Sequence, residues 1–206
     1  HCPSMIVLPD GSLQLAWFSG SYETSPDTIL MTSRLLPGSD RWTEPWKIAE
    51  WPGRSLGQPL LMLHPSGELW LFFDVIMGID WKSAQPYVQR SADEGRTWSK
   101  PEHIRDEPGL MFRGRPVFLP GRMVLPVYAE LTWRSHMLVS EDEGRSWRLT
   151  EGMSTPQGNI HPSVAALSDG RLVAYMRTGQ LGTGAIKRLN TGGKGGVIWR
   201  AESHDG

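Results

Sequence analysis

The chain has 206 residues, enough for one domain with a substantial core. Lys and Arg number 21 against 22 Asp and Glu, and the formal net charge of -1 leaves no basic surface of the kind nucleic acid selects and no acidic tail. A single Cys2 excludes an intrachain disulfide framework, and no apolar run approaches the roughly 20 residues of a membrane span.

The pattern is one of short strands punctuated by 23 Gly and 16 Pro. Four segments share one plan, beginning at His1, Gly57, Gly114 and Ile160. Each opens on a Pro (Pro3, Pro59, Pro116, Pro162) and runs through apolar residues to a turn at Gly11, Gly67, Gly121 or Gly170. A second apolar run follows each turn. Two apolar runs split by a Gly turn predict a β-hairpin. The turn glycines are 56, 54 and 49 residues apart, a spacing of one four-stranded blade per repeat.

A second signature closes the repeats. Ser91 to Trp98 and Ser140 to Trp147 both read Ser-x-Asp-x-Gly-x-x-Trp; a degenerate copy precedes Trp42, and another candidate opens at Ser203-His204-Asp205-Gly206. In such a motif the Asp caps backbone N–H groups of a tight turn. Gly takes a conformation that a Cβ forbids, and Trp packs beneath the turn. Asp93 and Asp142 are therefore read as structural rather than catalytic, and Trp98 and Trp147 as buried.

These boxes between hairpins resemble the bacterial neuraminidase repeat of the sialidase (neuraminidase) superfamily, over the whole chain. The resemblance implies an all-β propeller of four-stranded antiparallel blades. Four inner hairpins would be about four of six blades, so residues 1–206 are expected to be one propeller domain truncated at both ends. His1 already lies inside a repeat, so any export leader would lie upstream; a secreted or periplasmic location is favoured. An open set of blades would expose an edge and could self-associate or join missing blades.

The inner strand of each propeller blade lines the channel, and the residues at one end of each hairpin are the expected site. Before the aligned Pro stand Cys2, Gln58, Arg115 and His161; the second strand closes on Ser19, Asp74, Glu130 and Arg177. Gln58, Asp74, Arg115, Glu130, His161 and Arg177 are expected to share one mouth of the channel, at the end away from the boxes. Arg115 and Arg177 are candidate anion ligands, because guanidinium forks match a carboxylate. His161 with Glu130 or Asp74 is the candidate for proton handling.

The resemblance implies an acidic carbohydrate substrate, no cofactor and no metal. It also implies a three-Arg clamp, an acid/base Asp on a first-blade loop, and a Tyr nucleophile activated by a Glu. His1 stands where the family's first Arg is expected, and His161 where the Glu is. Glu23 or Asp27 of the loop around Tyr22 takes the acid/base place. Arg200, three residues before Ser203, lies near the second Arg's place, and Arg134 lies in a loop of the same mouth. The Gly-rich stretch from Gln180 to Gly196 reads as a loop rather than a phosphate cradle.

Three functions remain open at this point. The first is a sialidase-like glycoside hydrolase acting on an acidic glycan such as a sialoside. The others are a non-catalytic glycan- or protein-binding propeller, and a propeller polysaccharide lyase using His161.

Overall fold

A computed structural model describes residues 1–178 and 197–203. The Gln180–Gly196 loop and all but Ser203 of the last box motif lie outside the described residues. The chain divides into two compact units, His1–Phe112 and Arg113–Gly206.

The first unit holds two antiparallel meanders. One is β1 (Ser4–Val7), β2 (Leu13–Ser19), β3 (Ile29–Leu35) and β4 (Trp46–Ala49). The other is β5 (Ser55–Leu63), β6 (Leu69–Ile76), β7 (Ala84–Ser91) and β8 (Glu102–His103). A short strand, β9 (Leu110–Phe112), ends the unit. The second unit holds the meander β10 (Val117–Leu119), β11 (Arg122–Ala129), β12 (Arg134–Ser140) and β13 (Arg148–Leu149). Its other sheet is β14 (Asn159–Ala166), β15 (Leu172–Thr178) and β16 (Ile198–Ser203). Among the described residues the one helical element is the 3-10 turn Trp81–Ser83. These four sheets are propeller blades, and the fold class is the all-β propeller.

The strands follow from their patterns. β2 alternates buried and half-buried residues, as a strand with two unequal faces must; β6, LWLFFDVI, is buried along its whole length. The hairpin turns fall on the expected glycines, all at positive φ: Gly11 at 82°, Gly67 at 91°, Gly121 at 73° and Gly170 at 88°. The first, second and fourth hairpins close with the same pair of backbone bonds: Leu8–Ser12 and Gly11–Leu8, His64–Glu68 and Gly67–His64, Leu167–Arg171 and Gly170–Leu167. In the third, Leu119 pairs directly with Arg122, and Pro120-Gly121 turns the chain in two residues.

Both full Asp boxes have one geometry. Asp93 Oδ1 accepts from the Arg96 and Thr97 amides at 3.1 and 2.8 Å and Oδ2 from the Thr97 hydroxyl at 2.6 Å. Ser91 donates to Asp93 at 2.7 Å and accepts from the Gly95 amide at 2.8 Å. Asp142 repeats this with Ser146, Ser140 and Gly144. Bonds of this kind favour the ionised carboxylate, and the side chain of Thr97 and that of Ser146 are the main reason both Asp93 and Asp142 are held well below the ordinary range. Glu94 and Glu143 take left-handed φ of 59° and 60° in the middle of the turn.

Register places the boxes. Leu69 pairs with Ser91, Met123 with Ser140 and Leu172 with Ser203, so Ser203 holds the first box position of the fourth blade. In the first blade Leu13 pairs with Leu35, which puts Leu35 where the box Ser belongs and Pro37 where the Asp belongs. The indoles respond accordingly. Trp147 is 9% exposed, Trp98 is partly buried against the first unit's core, and Trp42 of the degenerate copy is 41% exposed.

Arg34 joins the two blades of the first unit. From β3 its buried guanidinium donates to Gln14 Oε1 at 2.8 Å, to the Glu94 carbonyl, and to the Glu94 carboxylate at 3.4 Å. Asn159 braces the second unit in the same manner. Its buried amide accepts from the Ser135 N–H at 2.9 Å and donates to the Met153 carbonyl at 2.8 Å and to the Thr155 hydroxyl at 3.2 Å.

Truncating the three indoles orders them by burial. Trp147→Ala should cost about 3–5 kcal/mol, as for other large core truncations. Trp98→Ala should cost less, and Trp42→Ala should stay near the surface-mutation range of about ±0.5 kcal/mol. Urea unfolding midpoints of the three variants check the order.

Candidate functional site

Register fixes which residues lie at the hairpin end away from the boxes. In the second blade Gly57 pairs with Asp74, while the box-bearing Leu69–Ser91 pair lies at the other end of β6. In the fourth, Ile160 pairs with Arg177 and Leu172 with Ser203. Gln58 and His161 each follow the first residue of these pairs, at a bulge where the register shifts before the strand resumes.

The position before the repeat Pro has a backbone signature. Cys2, Gln58 and His161, three of the four residues aligned before the repeat Pro, take left-handed φ of 49°, 46° and 57°. Non-glycine residues rarely adopt such values, and side chains held there are aimed by the backbone. Arg115, the fourth, does not share the conformation and is exposed.

In the second unit, His161 lies edge-on to the buried Tyr128 ring, with centroids 4.9 Å apart. Burial, then the charges of Arg177 and Arg113, hold its imidazole down to about 4 from an ordinary 6.5, so it is neutral at neutral pH. Gly114 explains how Arg113 comes to be there. A Cβ at Gly114 would run into the Pro162 carbonyl oxygen and the Pro126 ring, so the Arg113-Gly114-Arg115 strip packs against the residue that follows His161. Both arginines of the strip are exposed, as is Arg177. Glu130 sits half-buried in the turn after β11, closed by the Trp133 amide on the Ala129 carbonyl at 2.8 Å. Arg134 opens β12, is exposed, and lies against Gly152. Arg200 lies mid-strand in β16 opposite Tyr175 and is ion-paired with Glu202, which also holds Arg171 at 2.8 Å.

The first unit carries the other candidates. Asp74 is fully buried, and neither carboxylate oxygen has a hydrogen-bond partner among the described residues. Burial pushes it well above the carboxylate range, with the Phe112 backbone a weaker opposing influence. Gln58 is buried beside it. Asp27 is committed to its own loop: Ser21 supplies an amide at 3.2 Å and a hydroxyl at 2.5 Å, and with Ser25 holds the carboxyl down to about 2. Glu23 lies in the same loop, is exposed, and accepts from the Trp81 indole N–H at 3.1 Å. His1 meets the Phe18 ring edge-on at 5.2 Å.

Sequence reasoning missed Trp81, Arg113 and Tyr128. The glycine of Arg-Gly-Arg and the glycine before Gln58 were the available signals: each is a position where a Cβ would collide with a site element. No group of His, Cys, Asp or Glu suited to hold a metal ion occurs among the described residues. Among the described residues no helix is long and apolar enough to cross a membrane.

A cavity of about 330 Å³ in the second unit lies at the turn end of hairpin β14–β15, away from His161. It is lined by Val124, Val139, Val164, Leu172 and Ser203 among others. Val124 and Val139 hold the positions that Gln14 and Arg34 hold in the first unit.

Residues 11–203 match the BNR repeat-like domain, and the chain belongs to that family. Its fold is shared with solved structures. A protein of unknown function from Dyadobacter fermentans aligns at 21% identity and TM-score 0.78, over 100% of this chain and 65% of its own. The Hadza microbial sialidase Hz136 aligns at 19% and 0.75, over 100% and 44%. The Penicillium chrysogenum α-L-arabinanase, solved with arabinobiose, aligns at 20% and 0.73, over 98% and 62%. The chain thus spans between under half and about two thirds of these proteins. A search of curated proteins by sequence gave no match.

Two pH signatures follow. His161 resists protonation in the folded state, so the unfolded chain gains a proton first as pH falls below 6.5. Its contribution, on the order of 3 kcal/mol, should be lost between about pH 6.5 and 4, and His161→Gln should flatten that limb. Asp74 has the opposite sign. Its protonated form is favoured by folding, so stability falls as pH rises from about 4 through its raised folded value. Asp74→Asn should raise the melting temperature at pH 7 and leave it unchanged below pH 4. Calorimetry across pH 3–8 reads both.

Proposed function

We propose that this chain is the sialidase-like part of a glycoside hydrolase acting on an acidic glycan, such as a sialoside. The observation that carries the reading is the electropositive patch of the second unit. Arg113 and Arg177 both act on a half-buried neutral imidazole, with Arg115 on the same strip. Guanidinium forks suit a sugar carboxylate, and charge-assisted bonds of this type are the strong ones. Neutral His161 accepts or donates a single hydrogen bond without adding a competing charge.

Hydrolysis also needs a group to protonate the departing glycosidic oxygen. Of the three candidate carboxylates of the first unit, Asp27 is tied to Ser21 and Asp74 is sealed from solvent, and Glu23 is the one we assign that role. The family and the glycosidases that share the fold support the class of reaction. The acidic character of the substrate rests on the arginines.

The rival is a propeller that binds glycan without cleaving it, and the commitment of Asp27 to its own loop and the burial of Asp74 favour it. A lyase reading asks His161 to abstract a proton, a task its low basicity in the unliganded protein opposes.

Turnover of sialosides and uronic-acid polymers, with binding measured in parallel, separates these. Arg177→Ala and Arg113→Ala should each weaken binding of an acidic sugar by about 1.5–3 kcal/mol and leave neutral sugars unaffected. Equal loss for neutral and acidic sugars would contradict the anion site. Arginine-dependent binding without turnover would establish the binding propeller instead.

A further inference from the structure

Trp81 has a role that neither its repeat position nor the family match assigns. It opens the 3-10 turn between β6 and β7, where Asp80 accepts from the Lys82 amide at 3.1 Å. The Ser83 hydroxyl donates to the Asp80 carbonyl at 2.6 Å and accepts from the Gly78 amide at 2.8 Å. The turn is therefore braced from within. Its indole lies over the start of the second blade: a Cβ at Gly57 would fall 2.5 and 2.7 Å from two ring carbons, so only glycine leaves room for the ring. Phe18 packs against the indole with centroids 6.1 Å apart, and the ring rests on the core of the first unit. With its body fixed on three sides, the one polar atom of the side chain, Nε1, is aimed at Glu23 Oε1 at 3.1 Å, across 58 residues of sequence.

The loop that carries Glu23 is equally constrained. A Cβ at Gly20 would collide with Thr28, Thr24 takes a left-handed φ of 69°, and Asp27 ties back to Ser21. The Ser25 amide donates to the Tyr22 carbonyl at 3.0 Å and the Thr28 amide to the Ser25 carbonyl at 2.9 Å. Two rigid loops from adjacent blades thus meet through one hydrogen bond. Glu23 is exposed, and among the described residues its Oε2 has no partner.

We propose that Trp81 is the positioning residue for Glu23: it anchors one carboxylate oxygen and orients the other to exchange a proton with a bound glycan. The proposal rests on the hydrolase reading above. An unanchored Glu on a surface loop samples several rotamers, each costing entropy to freeze at the moment of reaction. The indole removes that cost without adding a charge.

The test uses Trp81→Phe, which keeps an aromatic ring but removes the N–H together with part of the indole that overlies Gly57, with Glu23→Gln and the double variant. The expected result is a 10- to 100-fold lower kcat for Trp81→Phe with KM within twofold of wild type. The double variant should turn over no slower than Glu23→Gln alone, because the anchor acts only through the carboxylate. Independently of turnover, Glu23→Gln should move the Trp81 indole N–H resonance in a ¹H–¹⁵N spectrum. Wild-type kcat in Trp81→Phe, additive losses in the double variant, or an unmoved indole resonance would each overturn the role of Trp81 while leaving an active hydrolase in place. A wild-type protein that cleaves no glycan would overturn the hydrolase reading, and the positioning role with it. If Trp81→Phe lowers the melting temperature, Gly57→Ala provides the second probe: displacing the indole should reproduce the kcat loss with Trp81 intact, and an unchanged kcat would overturn the proposal.

Discussion

One carboxylate per box organises the blades. Asp93 accepts from two backbone amides and two hydroxyls, and Asp142 from one amide and two hydroxyls, in a turn whose own backbone pairing is sparse. The turn then stays folded over an indole, and the indole seals the gap beside the strand pair. The first blade shows what happens when the capping set is lost. With Leu35 and Pro37 in place of Ser and Asp, the turn survives as a bridge between Leu35 and Trp42, but the ring is left in solvent. The capping oxygens, rather than the tryptophan, are thus what makes the box a packing device.

The first unit compensates for its weak box with a buried cation. Arg34 reaches Gln14 and two groups of Glu94, so a guanidinium does between two blades what apolar packing does elsewhere. The second unit has valines at the same two positions, and there the structure has a cavity instead. Repeats with a common backbone therefore carry different solutions to one packing problem.

Much of the fold was legible in the sequence because it depends on local constraints. A turn glycine, a capping Asp and alternating apolar residues act within a few positions of one another, and the four hairpins fall on Gly11, Gly67, Gly121 and Gly170. The candidate site was legible only in part. The ends of the hairpins, Gln58 with Asp74 and His161 with Arg177, follow from register, and register follows from the turns. Trp81 and Arg113 reach their places through loops, where a contact across 58 residues or against Pro162 leaves no periodic trace. Burial separated carboxylates that the sequence could not rank. Asp27, Asp74 and Glu23 are equivalent as letters, yet hydrogen bonds from Ser21 and Ser25 favour the ionised form of the first, burial disfavours that of the second, and the third stands exposed.

The position before the repeat proline bears on how such a protein diversifies. At the three left-handed positions the backbone sets the direction of the side chain, and the chain places there a thiol, an amide and an imidazole. Three chemically unrelated groups are therefore tolerated by one and the same conformation within a single molecule. A substitution at such a position changes what is displayed without changing where it is displayed. Each of these three positions thus works as an independently replaceable socket, and new recognition chemistry can be acquired there one blade at a time without redesign of the scaffold.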